Sequence, residues 1–322
     1  VSLTNAQAIA SLLSDNDEAT LREIFGERVA FAAPIAPFTS WKVGGPADAL
    51  AVVEHEDELT AAMQLCFKRK LPWFVLGSGS NVLVGDGGIR GIVFRLGGAF
   101  AEIVARVEGE EVIVDAGASA GMAALTSKAA SLGALGIGSL AGIPGTVGGS
   151  LRMNAGTDRE IGDFVRSVWV QSPSKPQPHA ITVQYYYRHT TLARDAVVSR
   201  VTLAFERGDV KTVRDEMQAR LVKRKNTQPI ALPNAGSCFR NPEGDHAARL
   251  IEAAGAKGWR EGGAEVSPLH ANFINNIGGA TAQDVATLLA KVRRAVYDQF
   301  GVELQPEVHL VGVFIDSEHE KS

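Results

Sequence analysis

With 322 residues, 45% of them hydrophobic and 21% charged, the chain has the composition of an ordinary globular protein and the length of about two domains. Lys and Arg number 32 against 36 Asp and Glu, a net charge of −4, which argues against sequence-independent binding to a nucleic-acid backbone. No apolar run reaches the ~18 residues of a membrane span, the opening residues show no secretory-signal pattern, and the two cysteines, Cys66 and Cys238, make neither a disulfide framework nor a zinc cluster; a reducing, cytoplasmic setting is expected.

Residues 1–30 read as one or two short polar helices, a packing appendage. From Ala47 the pattern becomes mixed α/β. It predicts a strand over 49–53, a helix over 57–70 with Leu59, Met63 and Phe67 on one face, and a short apolar strand over 73–76. Further strands are expected at 91–96 and 111–115. A helix over 119–132 carries Gly121, Ala123 and Ala124, small residues suited to close packing. Segments 165–171, 180–187 and 197–205 are β-rich, the first two separated by a Pro/Ser-rich turn over 172–178. Residues 31–207 are therefore read as one mixed α/β unit. A new composition begins at Gly208. A charged helix over 210–225 ends in Lys223-Arg224-Lys225, a cluster suited to the helix dipole or to a phosphate. Helices over 245–254 and 281–300 follow. The second has Val285, Leu288, Leu289, Val292, Val296 and Phe300 on one face, and Thr281 with Asp284 in the places of a capping box. Residues 208–301 are read as a second domain. The segment 302–322 closes the chain with a strand over 309–315, free to pair with either domain.

The unusual number is 34 glycines, gathered at 77–98, 133–156 and 255–279 without a collagen period. Such clusters mark backbone that turns left-handed or approaches something closely. Gly77-Ser78-Gly79-Ser80-Asn81 follows a predicted strand, so its N–H groups can form an anion-binding nest, with Ser78, Ser80 and Asn81 as added donors. A diphosphate is its natural guest; an ordinary tight turn is the alternative. The third glycine of a dinucleotide fingerprint and the Gly-Lys-Ser/Thr of a Walker loop are both missing. The stretch 142–156 is glycine-rich and nearly free of charge. It suits a backbone lying against a flat ligand, with Asn154 offering amide hydrogen bonds to a ring edge, or a loop buried in the core. In 235–242, Ser237 follows a glycine and could be a nucleophile or a proton donor; the hydrolase elbow Gly-x-Ser-x-Gly is absent. Cys238 beside it could be a rival reactive thiol, although a lone cysteine is more often packing. In Tyr185-Tyr186-Tyr187-Arg188, the arginine could grip a carboxylate at two points. Glu307 and His270 have no signal of their own, and the scattered histidines lack metal-ligand spacing.

Taken in chain order, these segments resemble the UDP-N-acetylenolpyruvoylglucosamine reductase (MurB) family. The resemblance runs from about Phe38 to Gly312. It begins at Thr39-Ser40-Trp41-Lys42-Val43-Gly44-Gly45-Pro46-Ala47. It continues through 76–83, 142–156, Tyr187-Arg188, 235–242, 262–273 and Pro306-Glu307-Val308. One such segment is weak; all of them in register are specific. The chain is similar to the shorter form of the family, without the extra loop after Gly156. The resemblance implies an α+β architecture: a two-subdomain FAD-binding fold of the vanillyl-alcohol oxidase type, not a Rossmann fold, with a C-terminal α/β substrate-binding domain.

It also implies roles. Gly77, Ser78, Gly79, Ser80 and Asn81 would hold the FAD diphosphate. Ile143, Pro144, Gly145, Thr146, Gly148, Gly149, Arg152, Asn154 and Gly156 would line the cofactor. Tyr187, Lys225, Asn241 and His270 would contact substrate, Lys225 at its diphosphate. The implied reaction is the NADPH-dependent reduction of UDP-N-acetylglucosamine enolpyruvate to UDP-N-acetylmuramate, a peptidoglycan precursor. Hydride addition at C3 puts negative charge on C2 and its carboxylate, where Arg188 would stabilise it. Glu307 would partner Arg188, protonated or acting through it, because a bare carboxylate would repel that charge. Ser237 would protonate C2. Some positions depart from the family pattern: His189-Thr190, Arg240 in place of Lys, Thr157-Asp158-Arg159, and His270 where some relatives have Gln. Two alternatives are another flavin oxidoreductase of the same fold and a binding protein without turnover. Ser237, Asn241 and Glu307 weigh against the first; Arg188, Ser237 and Glu307 weigh against the second. The expected partners are small molecules, with no nucleic acid, membrane or obligate protein partner.

Overall fold

The structure of the protein is a computed structural model that describes residues 11–315. Its first sheet forms where short apolar runs alternate with helix. Val29–Pro34 pairs antiparallel with Pro46–Val53, which lies parallel to Ile89–Leu96, and Trp73–Val75 adds a fourth, parallel strand. The parallel pairing needs a crossover, supplied by the helix Glu56–Arg69. This helix buries Leu59, Ala62, Met63 and Cys66 but leaves Phe67 67% exposed, unlike the expected face. The reason is geometric: at 3.6 residues per turn the position seven after Leu59 returns to its face, whereas the position eight after has drifted about 80° away. The polar helix expected near the start is Asp15–Phe25, held by a Ser14/Asp17 capping box; it presses Leu21 and Phe25 into the same core. The part of that reading over residues 1–10 lies outside the described residues.

A second sheet is wholly antiparallel. Its order is Ile103–Glu108, Glu111–Gly117, Val197–Glu206, Val165–Ser172, Lys175–Ile181. Val112, Val114 and Ala116 alternate inward against Leu125, Ala129 and Ala130 of the helix Met122–Ala130. Ala123 and Ala124 face outward, so they are not the packing face expected of them. The Pro/Ser-rich turn is shorter than 172–178: Lys175–Ile181 is already strand. Pro176 and Pro178 are tolerated because that strand lies at the sheet edge, where a missing N–H costs no ladder bond. The helix Val210–Thr227, expected to open the second domain, lays Val213 and Met217 on this same core instead.

The third unit stacks the helices Ala247–Ala253 and Ala282–Phe300 on a small antiparallel sheet of Arg260–Glu261, Ala264–Val266 and Ile274–Asn276. The expected Thr281/Asp284 capping box is present. Its core takes in Trp41, Val43 and Leu83 from the first unit. Trp41 is fully buried and its indole Nε1–H donates to the Ile274 carbonyl at 2.7 Å. Asp86 accepts from the main-chain N–H groups of Ala282 and Gln283, both at 2.9 Å. The closing strand is only His309–Val311, and it pairs in parallel with Val82–Val84, a strand that the sequence pattern did not reveal. No described helix is long and apolar enough to cross a membrane.

Candidate functional site: a cleft between two sheets and an arginine between two carboxylates

The strand Trp73–Val75 runs directly into the loop 77–81. Gly79 has φ +67°, and a Cβ there would lie 2.3 Å from the Phe38 carbonyl oxygen, so the loop folds this tightly only with glycine. Among the described residues, none of the main-chain N–H groups of Ser78, Gly79, Ser80 and Asn81 donates to a protein acceptor. Ser78 Oγ donates to Ser80 Oγ at 3.2 Å, and Ser80 Oγ donates to the Pro144 carbonyl at 3.2 Å, so the two glycine-rich loops meet. Asn81 is turned elsewhere: its Nδ2 donates to the main-chain carbonyl of Glu307 at 3.1 Å.

Beside this junction lies a cavity of about 210 Å³ between the two sheets. Gly77, Ser78, Arg95, Ser119, Thr146, Gly148, Gly149 and Arg152 line it, with Val197 and Val198. Two of these residues hold buried polar atoms without a partner, Arg95 Nε and Ser119 Oγ. Buried polar atoms are ordinarily hydrogen-bonded, and an orphaned pair in a cavity marks a place for an outside acceptor and donor. Arg152 is braced by the carbonyls of Ala193 and Ala196. Burial lowers the pKa of both arginines, and among the described residues no carboxylate pairs with Arg95. Idle loop amides, two half-buried guanidinium groups and glycine walls suit a flat, anionic dinucleotide such as FAD. Ile143 rests on the second core and Thr146 Oγ caps its short helix, accepting from Gly149 N at 3.4 Å. Gly145 completes the turn between them.

Asn154 does not lie along this cavity. Its side chain is buried and committed: Nδ2 donates to Glu160 and to the Tyr186 carbonyl at 3.0 Å, and Oδ1 accepts from Gly162 N at 2.9 Å. The expected amide contact with a ring edge is therefore not available from its side chain. Gly156 likewise turns its carbonyl to Arg188 Nη2, at 2.9 Å.

Arg188 sits between two carboxylates. Nη1 donates to Glu160 Oε1 at 3.1 Å and Nε pairs with Glu307 Oε1 at 3.1 Å; the guanidinium also lies over the Tyr187 ring at 4.8 Å. Burial raises the pKa of both glutamates against the lowering effect of Arg188. Glu307 is tied to the Ser237 segment, since Glu307 N donates to the Cys238 carbonyl at 2.8 Å and Arg240 N to the Gln305 carbonyl at 2.9 Å. Ser237 is half-buried and its hydroxyl has no partner among the described residues. Cys238 is buried and its thiol is pushed up to about 12 by desolvation, which makes it packing rather than a nucleophile.

A larger cavity, about 570 Å³, adjoins Gly236. Lys42, Arg224 and Lys225 line it with Ser40, Asn234 and Phe273. Three cations in one open cleft suit a diphosphate. Asn241 and His270 stand outside its lining. Asn241 Oδ1 accepts from Ala247 N at 3.1 Å, at the start of a helix. His270 Nδ1 accepts from Asn272 N at 3.3 Å, and burial lowers its pKa. Sequence reasoning missed Arg95, Ser119 and Glu160, none of which belongs to a glycine-rich or otherwise distinctive string.

Comparison with known proteins fits this geometry. The family model for the FAD binding domain matches residues 47–172, and that for the UDP-N-acetylenolpyruvoylglucosamine reductase C-terminal domain matches residues 228–311. The reductase of that name from Myxococcus xanthus is 42% identical over 92% of this chain and 96% of its own. The one from Moorella thermoacetica is 42% identical over 87% and 92%. The crystal structure of UDP-N-acetylenolpyruvylglucosamine reductase (MurB) from Thermus caldophilus superposes with a TM-score of 0.74 at 33% identity, over 88% of this chain and 98% of that one. The two-subdomain FAD-binding fold with a separate C-terminal domain is thus established, FAD is the cofactor, and the chain belongs to the UDP-N-acetylenolpyruvoylglucosamine reductase family.

Proposed function

We propose that this protein reduces UDP-N-acetylglucosamine enolpyruvate to UDP-N-acetylmuramate with NADPH as reductant, a cytoplasmic step toward peptidoglycan. The observation that carries the reading is the ion pair of Arg188 with Glu307, fastened to the Ser237 segment. When bound, FAD would supply the hydride chemistry that links NADPH to C3 of the enol ether. The loop 77–81, with Gly145, Thr146, Gly148, Gly149 and the Arg95–Ser119 cavity, holds and orients that group.

The remaining work falls to side chains. A guanidinium has five N–H groups. With Nη1 on Glu160, Nη2 on Gly156 and Nε on Glu307, one N–H of each Nη remains for the substrate carboxylate as charge grows on it. The raised pKa of Glu307 keeps a proton there at higher pH than for a free carboxyl, so it adds less repulsion beside the developing anion. Ser237 Oγ delivers the proton to C2, and the cationic cleft of Lys42, Arg224 and Lys225 takes the nucleotide diphosphate. Tyr187 supports Arg188 from below.

The test is an anaerobic absorbance experiment. NADPH should bleach the band near ~450 nm expected of the oxidised cofactor, and UDP-N-acetylglucosamine enolpyruvate should restore it. Bleaching without restoration would point to another acceptor and refute the proposal.

A further inference from the structure

Arg188 occupies the tip of a two-residue hairpin loop between Tyr185–Tyr186 and His189–Thr190, and its backbone is left-handed, with φ +55°. A long side chain on so short and strained a loop keeps one geometry only if its surroundings fix it. The support comes from residues 154–162. Buried Asn154 spends both Nδ2 hydrogens, on Glu160 Oε2 and on the Tyr186 carbonyl of the hairpin itself, and its Oδ1 accepts from Gly162 N. Glu160 turns its other oxygen to Arg188 Nη1. A Cβ on Gly156 would lie 2.1 Å from the Arg159 carbonyl oxygen and 2.4 Å from Glu160 Cα; glycine alone lets the Gly156 carbonyl and Glu160 stand side by side against the guanidinium. The groups facing Glu160 are Arg188 and Asp163, and those facing Glu307 are Arg188, Arg240 and Glu160.

We propose that Glu160, oriented by Asn154, is the positioning residue for Arg188, limiting its pairing with Glu307 to the single Nε contact so that two of its N–H groups stay open to the substrate carboxylate. The physical reason is competition. An arginine facing one carboxylate closes onto it as a two-point fork, which is the stronger geometry. A fork with Glu307 would consume an Nη donor and move the cation away from the place where charge develops. A second carboxylate on the Nη1 side, itself locked by a buried amide, holds the fork open. The proposal rests on the functional reading above only for the identity of the anion.

The experiment compares FAD-loaded wild type with Glu160→Ala and Glu160→Gln. The Nε–H signal of Arg188 in ¹⁵N spectra, assigned by its loss in Arg188→Lys, reports the guanidinium directly. It should keep its position in Glu160→Gln, which retains the acceptor, and shift or broaden in Glu160→Ala. In stopped flow, reduction by NADPH should stay within about twofold in both variants. Reoxidation by the enolpyruvyl substrate should fall about 10²-fold in Glu160→Ala, the size of effect that about 1 Å of misplacement produces, and recover to within about tenfold of wild type in Glu160→Gln, with KM little changed. An unmoved Arg188 signal in Glu160→Ala overturns the proposal, as does a parallel fall of FAD content and both half-reactions, the mark of a merely structural role. Should wild type itself not be reoxidised by this substrate, the functional reading fails, and the Nε–H signal still decides the role of Glu160. If Glu160→Ala does not fold, Glu160→Asp withdraws the carboxylate by one methylene and must give the same split.

Discussion

Arg95→Met separates a residue kept for the cofactor from one kept for the fold, because the two roles predict opposite signs. In the protein without FAD, the Arg95 guanidinium is half-buried, its Nε has no acceptor, and its contact is the face of Phe38 at 4.3 Å. Replacement by Met forfeits a cation–π contact of about 0.5–2 kcal/mol and regains about 0.3–1.5 kcal/mol as a sulfur–aromatic contact. It also removes an unsatisfied buried donor, worth about 1–3 kcal/mol. The apoprotein should therefore unfold at the same urea concentration or higher, with a gain of about 1 kcal/mol. FAD binding should weaken, since a hydrogen bond from a charged donor is worth about 1.5–3 kcal/mol, or roughly 10–150-fold in Kd. Urea denaturation of the apoprotein and a fluorescence titration with FAD give the two numbers. Apoprotein destabilised by more than about 1 kcal/mol, with FAD affinity within about threefold of wild type, would refute the reasoning.

Other outcomes follow from the same geometry. Ser237→Ala should leave reduction by NADPH intact and slow reoxidation by the enolpyruvyl substrate about 10²–10⁴-fold, the usual range for a lost proton donor; stopped-flow absorbance separates the two. Glu307 has a pKa raised in the folded state. The fold therefore binds an extra proton that the unfolded chain does not, and this contribution to stability is lost as pH rises from the ordinary carboxyl range through the folded value. Glu307→Gln lacks that loss, so in urea melts its stability relative to wild type should climb across that window and then level off. Trp41→Phe leaves the Ile274 carbonyl without its donor inside the third core and should cost about 1–3 kcal/mol in the same measurement.

What the sequence revealed was local. The turn 77–81 and the helix Ala282–Phe300 with its cap were legible because strings of adjacent residues carry their own geometry; Glu307 had no signal of its own, and only the family resemblance joined it to Ser237. Glu160 and Arg95 were not legible. Each is one charged residue in an undistinguished string, and its meaning comes from a partner 28 residues away or from a cavity between two sheets. Asn154 shows the opposite failure. Its place beside a glycine-rich loop suggested a ligand, but a buried amide with two donors and an acceptor satisfies itself with whatever polar groups the fold brings near. Phe67 and the pair Ala123 and Ala124 were placed by spacing or size alone, without the angular drift or the direction of the core. The helix Val210–Thr227 followed a change in composition, whereas its docking is set by two apolar side chains, Val213 and Met217.

The bond from Asn81 to the Glu307 carbonyl spans 226 residues of chain, and the parallel strands beside it lock the same two regions together. On a ribosome adding 5–20 residues each second, the loop 77–81 emerges about 10–45 s before its partner strand. Through that interval it stands among unpaired strand edges, without the neighbour that fixes its shape. A chain cut short before residue 307 would keep every glycine of the loop 77–81 yet lack the brace behind it. Nascent and truncated chains should thus be poor scavengers of free FAD, leaving the cellular pool to finished molecules.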